Sequence, residues 1–131
     1  ACGKGRHSVF LNELGYQVTG VDLSENSIKA AQEKSNERLV FKVHDMRDSF
    51  EEKYDAIFNL FTSFGYFESD ADNLKTLISI KESLTEYGFA VIDFAASFAG
   101  YNLTPFLGSA SRFSPIVFGL IGSALLNSNS K

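Results

Sequence analysis

Two glycines and a carboxylate near the start of the chain have the spacing of a small-ligand site. Gly3 and Gly5 flank Lys4 just before a predicted helix, and Asp22 follows in the stretch GVDLS. Free N–H groups at a helix start favour a polar or anionic ligand, and glycines let the backbone approach it closely. A carboxylate at the carboxyl end of the next strand can accept both hydroxyls of a ribose. The alternatives are an ordinary turn and a cap or dipole partner for the following helix.

Two further polar stretches follow predicted strands. In HDMR, residues 44–47, Asp45 can accept from an exocyclic amine and Met46 can lie on an aromatic ring; a loop aspartate beside a partly buried methionine is the alternative. The stretch NLFTSFGYFE, residues 59–68, is dense in aromatic residues and indicates a pocket wall. Phenylalanine clusters more often form core, but the interspersed polar residues, which are Asn59, Thr62, Ser63 and Tyr66, favour the pocket.

Several other kinds of site are not supported by the motifs. The phosphate-binding pattern GxxxxGK[ST] is absent, and Ser8 stands where a dinucleotide fingerprint has its third glycine. The sequence shows neither a cluster with metal-ligand spacing nor a nucleophile paired with a base. We therefore expect no metal site and leave the catalytic residues unassigned.

Alternating helices and strands must position these loops. Ser24 is a good N-cap for the second helix, and Gly88 is expected to end the third. The apolar spacing places Phe10, Leu11 and Leu14 on one face of the first helix. In the third helix, helical spacing relates five residues, which are Leu74, Leu77, Ile78, Lys81 and Leu84. The alternation favours a parallel α/β sheet. The predicted helices span residues 6–14, 24–35 and 70–86, and the strands 17–22, 39–44, 54–60 and 89–94.

The strand at 54–60 is apolar enough to be covered on both faces, and Ile28 and Ala31 are expected to face inward on the second helix. The composition changes after residue 94. All 16 acidic residues precede that point, whereas residues 95–131 are rich in serine and glycine and carry only Arg112 and Lys131 as charges. We expect residues 1–94 to form the core and 95–131 an atypical tail.

Composition narrows the function classes. The chain of 131 residues is long enough for one domain, and its net charge of −4 does not indicate nucleic acid as a partner. A single cysteine fits a reducing, cytoplasmic compartment. The sequence gives no support for a signal peptide, and its tail apolar run is too short to span a membrane. The oligomeric state is unknown from sequence.

The order and spacing of five stretches resemble the class I S-adenosylmethionine-dependent methyltransferases. The stretches are ACGKGRHS, GYQVTGVDLSENSIKAA, VHDMR, YDAIFNLFTSFGYFE and GFAVIDF, and together they extend over residues 1–94. The resemblance implies a Rossmann-like sheet with helices on both faces. It also implies S-adenosylmethionine as cofactor and in-line transfer of its methyl group to an acceptor, which we expect to be a small molecule.

The resemblance also implies which residues hold the cofactor. Ala1, Gly3 and Gly5 would lie against its methionine part, as would Asn59 and Leu60 near the sulfonium. Asp22 would hold the ribose, with Leu23 beside the adenine. Asp45 would accept from the adenine amino group and Met46 would pack on the ring. Phe64, Tyr66 and Phe67 are candidate acceptor-pocket residues, and His7, His44 and Tyr66 are candidates for a base.

The sequence departs from the family pattern at both ends. The family sheet has the strand order 3-2-1-4-5-7-6, and the four predicted strands correspond to strands 2–5. We expect strand 1, which precedes the glycine loop in the family, to be missing, and the C-terminal hairpin is not recognisable after residue 94. Two hypotheses follow: the chain is a fragment of a longer methyltransferase, and its tail is not the family's own sequence.

Two other functions remain open from the sequence. One is a non-catalytic α/β module that binds a nucleotide cofactor, or an inactive truncated fragment. The other is a fragment that binds NAD or a nucleotide sugar, although Ser8 in the fingerprint disfavours it.

Overall fold

The computed structural model describes residues 1–61, 63–65, 67–94 and 116–120. The chain divides into two compact units, one of Ala1–Glu52 with Leu74–Ser83 and one of Lys53–Asn73 with the described residues from Leu84 onward. Its strands pair in parallel, as predicted. The elements in chain order are α1 (Arg6–Glu13), β1 (Val18–Asp22), α2 (Glu25–Gln32), β2 (Leu39–Val43), β3 (Tyr54–Asn59), α3 (Asp70–Ser83), β4 (Leu84–Phe94) and β5 (Ile116–Leu120).

The first unit is built on a pair of parallel strands. β1 and β2 pair from Val18 opposite Leu39 to Asp22 opposite Val43. Ile28 and Ala31 of α2 are buried with Leu39 and Phe41 in one apolar cluster, which confirms the predicted inner face of that helix. The Ser24 hydroxyl accepts the N–H of Ser27 at 3.2 Å, which confirms the predicted N-cap. The sequence thus located this strand–helix–strand segment from local signals, although α2 ends at Gln32 rather than 35.

The buried face of α1 is not the apolar face that carries Phe10 and Leu14. Phe10 and Leu14 are 56% and 60% exposed, whereas Ser8 is buried and Val9 packs against the apolar cluster. A Cβ on Gly20 would lie 2.9 Å from the Ser8 hydroxyl and 2.6 Å from the Phe41 ring. The absent side chain at Gly20 therefore makes room for a small polar residue of α1, and the apolar periodicity of the helix does not reveal this.

The buried face of α3 likewise differs from the face marked by its apolar spacing. The buried residues are mostly small and polar, namely Thr76, Ser79, Ile80 and Ser83, while Ile78 is 44% exposed. The Ser79 hydroxyl donates to the Asp48 carbonyl at 2.7 Å, and the Ser83 hydroxyl accepts the Phe50 N–H at 3.0 Å. This face can be buried because its hydroxyls form hydrogen bonds with backbone groups of the segment after β2. Hydrophobic spacing therefore does not predict it.

The second unit contains the sheet order β3-β4-β5. β5 lies within residues 95–131, where no strand was predicted from the sequence. Its residues pair in register with Ala90–Phe94 of β4. β3 was predicted to be covered on both faces, but Phe58 is 44% exposed and contacts Phe89 edge to face at 6.2 Å. The predicted division into a core of 1–94 and a tail stays a prediction.

The junction between α3 and β4 also differs from the prediction. The helix ends at Ser83 and not at Gly88, because Leu84 already pairs with Tyr54 of β3. The Thr85 hydroxyl donates to the Asp55 carboxylate at 3.1 Å. A Cβ on Gly88 would lie 2.9 Å from the Tyr54 carbonyl, where the pairing register shifts. Gly88 therefore permits a close backbone approach at an irregularity of the strand.

Within the described residues, no helix has the length and apolar character that crossing a membrane would require.

Candidate functional site

The glycine loop lies at the edge of β1 in the first unit. The Cys2 N–H donates to the Val21 carbonyl at 2.7 Å, and the Gly5 N–H donates to the Cys2 carbonyl at 3.0 Å. Gly5 has φ +79° and precedes α1 without a side-chain cap. Gly3 has φ +53°, and a Cβ there would meet nothing within 4 Å. The loop therefore presents open backbone at Gly3 and is packed tightly at Gly5.

Asp22, the last residue of β1, ties this loop to the start of α2. Its Oδ2 accepts the Gly3 N–H at 2.8 Å and its Oδ1 accepts the Ser24 N–H at 2.9 Å. An ionised carboxylate has about four acceptor positions, so these two bonds leave about two. Leu23, which follows Asp22, is 55% exposed. The predicted ribose carboxylate thus has both a fixed orientation and spare acceptor capacity.

The loop after β2 lies at the same edge as Asp22, because the His44 N–H donates to the Asp22 carbonyl at 3.2 Å. In this loop the Arg47 guanidinium binds the Asp45 carboxylate, with its closest contact at 2.6 Å. Met46, between them, is half-buried. The structure therefore brings together Gly3, predicted for the methionine part of the cofactor, with Asp22 and the loop carrying Asp45, which are predicted for its adenosine part.

His44, a candidate base, is engaged within its own loop. A ring nitrogen lies 2.9 Å from the Asp48 carbonyl, and the ring stacks on Phe50 with 4.2 Å between centroids. These contacts fit a structural role for the ring. The catalytic assignment of His44 gains no support from them.

In the second unit, the predicted residues lie at the end of β3 and in the segment after it. Asn59, its last residue, is buried, and Leu60 accepts the Ser63 hydroxyl at its carbonyl at 3.0 Å. Phe64 is buried and Phe67 is half-buried. Tyr66, the third candidate for the acceptor pocket, lies outside the described residues, as does Thr62. The roles of all these residues stay predictions.

Asp93 of β4 is a residue that the sequence reasoning missed. It is 3% exposed, and its Oδ2 accepts the N–H of Phe61 at 3.0 Å. Phe61 has φ +61°, a left-handed conformation that costs a non-glycine residue about 1–2 kcal/mol. Asp93 therefore holds a strained loop residue after β3. Its signal in the sequence is a lone carboxylate at the end of an apolar strand, FAVIDF, which matches the placement of Asp22 in VTGVD.

We expect the Asp45–Arg47 pair to make stability depend on pH at the acid end. Hydrogen bonding by the Arg47 side chain holds the pKa of Asp45 below its usual range, against a smaller opposing effect of burial. Because the pKa is lower in the folded state, the stabilisation is fully present above the unfolded value of about 3.9 and is lost as pH falls through the folded value.

The measurement is the difference in Tm between the unmodified chain and Arg47→Met. We expect this difference to be constant between about pH 7 and pH 5 and to shrink below about pH 4. A difference that widens as the solution is acidified would contradict the prediction.

Comparison with known proteins identifies the family. Residues 1–88 match the family model described as a methyltransferase domain. The chain is 35% identical over 102 residues to YqeM of Bacillus subtilis (strain 168), covering 75% of this chain and 41% of that protein. It is 32% identical over 99 residues to the glycine/sarcosine N-methyltransferase of Aphanothece halophytica, covering 71% of this chain and 37% of the relative. The chain thus spans about two fifths of the length of these curated relatives.

A solved structure is similar in fold as well as in sequence. The TehB-like SAM-dependent methyltransferase of Corynebacterium glutamicum superposes with a TM-score of 0.69 at 29% identity, covering 85% of this chain and 60% of that one. This likeness confirms the predicted Rossmann-like α/β class. S-adenosylmethionine is the cofactor of the family, as predicted. The chain belongs to the class I S-adenosylmethionine-dependent methyltransferases.

Proposed function

We propose that the chain binds S-adenosylmethionine and transfers its methyl group to a small-molecule acceptor. The observation that carries the cofactor assignment is the arrangement around Asp22. Its carboxylate is held by the N–H groups of Gly3 and Ser24 and keeps about two acceptor positions. Two acceptor positions match the two hydroxyls of a ribose, and the open backbone of Gly3 leaves room for the rest of the ligand.

The proposal gives each predicted residue a part. Asp22 holds the ribose, Leu23 borders the adenine, Asp45 accepts from its amino group and Met46 packs on the ring. Ala1, Gly3 and Gly5, with Asn59 and Leu60, serve the methionine part. Phe64, Phe67 and Tyr66 line the acceptor pocket. The single cysteine at position 2 supports a reducing, cytoplasmic location.

The reaction asks little of the protein beyond alignment. Bound S-adenosylmethionine supplies a methyl group on a positively charged sulfur, activated for in-line attack. The chain's part is to fix the adenosine and to hold the acceptor in a shaped, dry site. This requirement agrees with a sequence that has no recognisable nucleophile and base pair.

Calorimetric titration of the chain tests the cofactor assignment. We expect S-adenosylmethionine and S-adenosylhomocysteine to bind and NAD to give no heat of binding. Binding of NAD without binding of S-adenosylmethionine would overturn the proposal.

Turnover separates a methyltransferase from a binding module. The assay measures S-adenosylhomocysteine formed in the presence of small amines, thiols and hydroxy compounds. Glycine and sarcosine belong in the panel because one relative is named for them. Product that depends on an added acceptor supports transfer, whereas cofactor binding without product from any acceptor favours the module.

A further inference from the structure

The Arg47 guanidinium forms a hydrogen-bonded ion pair with the Asp45 carboxylate in the same loop. The guanidinium Nε lies 3.0 Å from Oδ1 and 3.1 Å from Oδ2, and one terminal nitrogen lies 2.6 Å from Oδ2. The backbone N–H of Arg47 also donates to Oδ1 at 2.9 Å. A planar guanidinium that meets both oxygens fixes the plane of the carboxylate as well as its charge.

Counting acceptor positions shows what remains for a ligand. The backbone N–H takes one position on Oδ1, the terminal nitrogen takes one on Oδ2, and the Nε–H is shared between the two oxygens. Of about four positions, these donors use about three. The Asp45 side chain is 17% exposed, so the remaining position is accessible to a ligand. One further donor therefore suits this carboxylate better than two.

The loop that carries the pair is itself held in place. The Asp48 N–H donates to the Asp45 carbonyl at 3.0 Å, and the Asp48 carbonyl accepts from Ser79. The Phe50 N–H donates to Ser83 of α3. Arg47 therefore acts on Asp45 from a fixed backbone, and removing its side chain releases the carboxylate more than the loop.

We propose that Arg47 is a positioning residue, which fixes the Asp45 carboxylate so that its remaining acceptor position receives one N–H of the adenine amino group. The inference rests on the proposed function, because Asp45 meets adenine only there. It adds a specificity: the site prefers a 6-amino purine, a donor, over a 6-oxo purine, an acceptor. A 6-oxo group facing the fixed carboxylate would bring two acceptors together and leave the remaining acceptor position of Asp45 without a donor.

The test compares two ligands, S-adenosylhomocysteine and S-inosylhomocysteine, which differ at purine position 6. Affinities are measured by calorimetry for the unmodified chain and for R47M, R47K and D45N. We expect R47M to lower the affinity for S-adenosylhomocysteine about fivefold and to leave the affinity for S-inosylhomocysteine nearly unchanged. The preference for the amino ligand then falls about fivefold. R47K keeps the positive charge but lacks the planar guanidinium. Its preference for the amino ligand should therefore lie between those of the unmodified chain and R47M. D45N should lower the preference furthest, because its amide can donate to a 6-oxo group.

Lys42→Met is the matched control. It removes a basic partner from the exposed Lys42–Glu52 pair, 3.7 Å apart, on the strand before the loop. We expect it to change neither affinity. Thermal melting of every variant separates loss of fold from loss of binding.

The outcomes separate this inference from the proposed function. If R47M leaves both affinities unchanged, tightens S-adenosylhomocysteine, or weakens both ligands equally, the role of Arg47 is overturned while the cofactor assignment stands. If the unmodified chain binds neither ligand, the proposed function fails, and the inference fails with it.

Discussion

Replacement of Asp22 by alanine should weaken binding of S-adenosylhomocysteine about a hundredfold. The change removes the proposed acceptor of two ribose hydroxyls, and a hydrogen bond to a charged group is worth about 1.5–3 kcal/mol. Loss of about 3 kcal/mol corresponds to roughly two powers of ten in affinity. The same change leaves the N–H groups of Gly3 and Ser24 without their acceptor, which lowers the Tm. Calorimetry gives the affinity, and a melting curve gives the Tm.

A second ligand separates contact with the ribose from support of the loop. The unmodified chain should bind 2′-deoxy S-adenosylhomocysteine more weakly than the parent compound, and Asp22→Ala should bind the two about equally. Glu25→Gln is the control, since it removes a carboxylate from the first turn of α2 near Asp22. Affinity that survives in Asp22→Ala would exclude the ribose role, and an equal preference for the 2′-hydroxyl in both proteins would reduce Asp22 to a structural residue.

The sequence predicted the strand–helix–strand segment around Asp22 well, because its signals are local. Ser24 caps α2, and Ile28 and Ala31 face the apolar cluster as their spacing indicated. The inner faces of α1 and α3 were not predictable in this way. Each buried face depends on a partner distant in sequence. In α1, Ser8 packs against Gly20, and in α3, the hydroxyls of Ser79 and Ser83 bind the backbone of Asp48 and Phe50. Hydrophobic periodicity carries no information about a serine whose acceptor lies about thirty residues away.

The candidate site shows the same division. Asp22 and Asp45 could be singled out because Asp22 ends one strand and Asp45 comes soon after the next, and the ends of neighbouring parallel strands share an edge. Arg47 belongs to the motif HDMR, but the sequence did not predict its role, because its pairing with Asp45 depends on the turn of the loop. Asp93 escaped notice because its partner, the N–H of Phe61, comes from the loop after another strand. Residue type and position therefore single out the candidate ligand-binding groups more readily than the groups that support them.

Gly5→Ala should destabilise the first unit strongly, because two separate penalties meet at this residue. Its φ of +79° is unfavourable for alanine, at a cost of about 1–2 kcal/mol. A Cβ would also lie 2.5 Å from the Phe41 ring and 3.3 Å from Ala31, and overpacking of a core typically costs about 1–3 kcal/mol. We expect the free energy of unfolding to fall by about 2–5 kcal/mol in total, as measured by urea denaturation.

Gly15→Ala isolates the backbone penalty. Gly15 has φ +96°, but a Cβ there meets nothing within 4 Å, so the variant should lose only about 1–2 kcal/mol. The difference between the two variants then measures the contact with Phe41. Phe41→Leu supplies the complementary test: it shortens the side chain that Gly5→Ala would strike, so the double variant should lose less stability than the sum of the two single losses. Equal losses in Gly5→Ala and Gly15→Ala, or strict additivity with Phe41→Leu, would mean that packing against Phe41 does not fix the glycine loop.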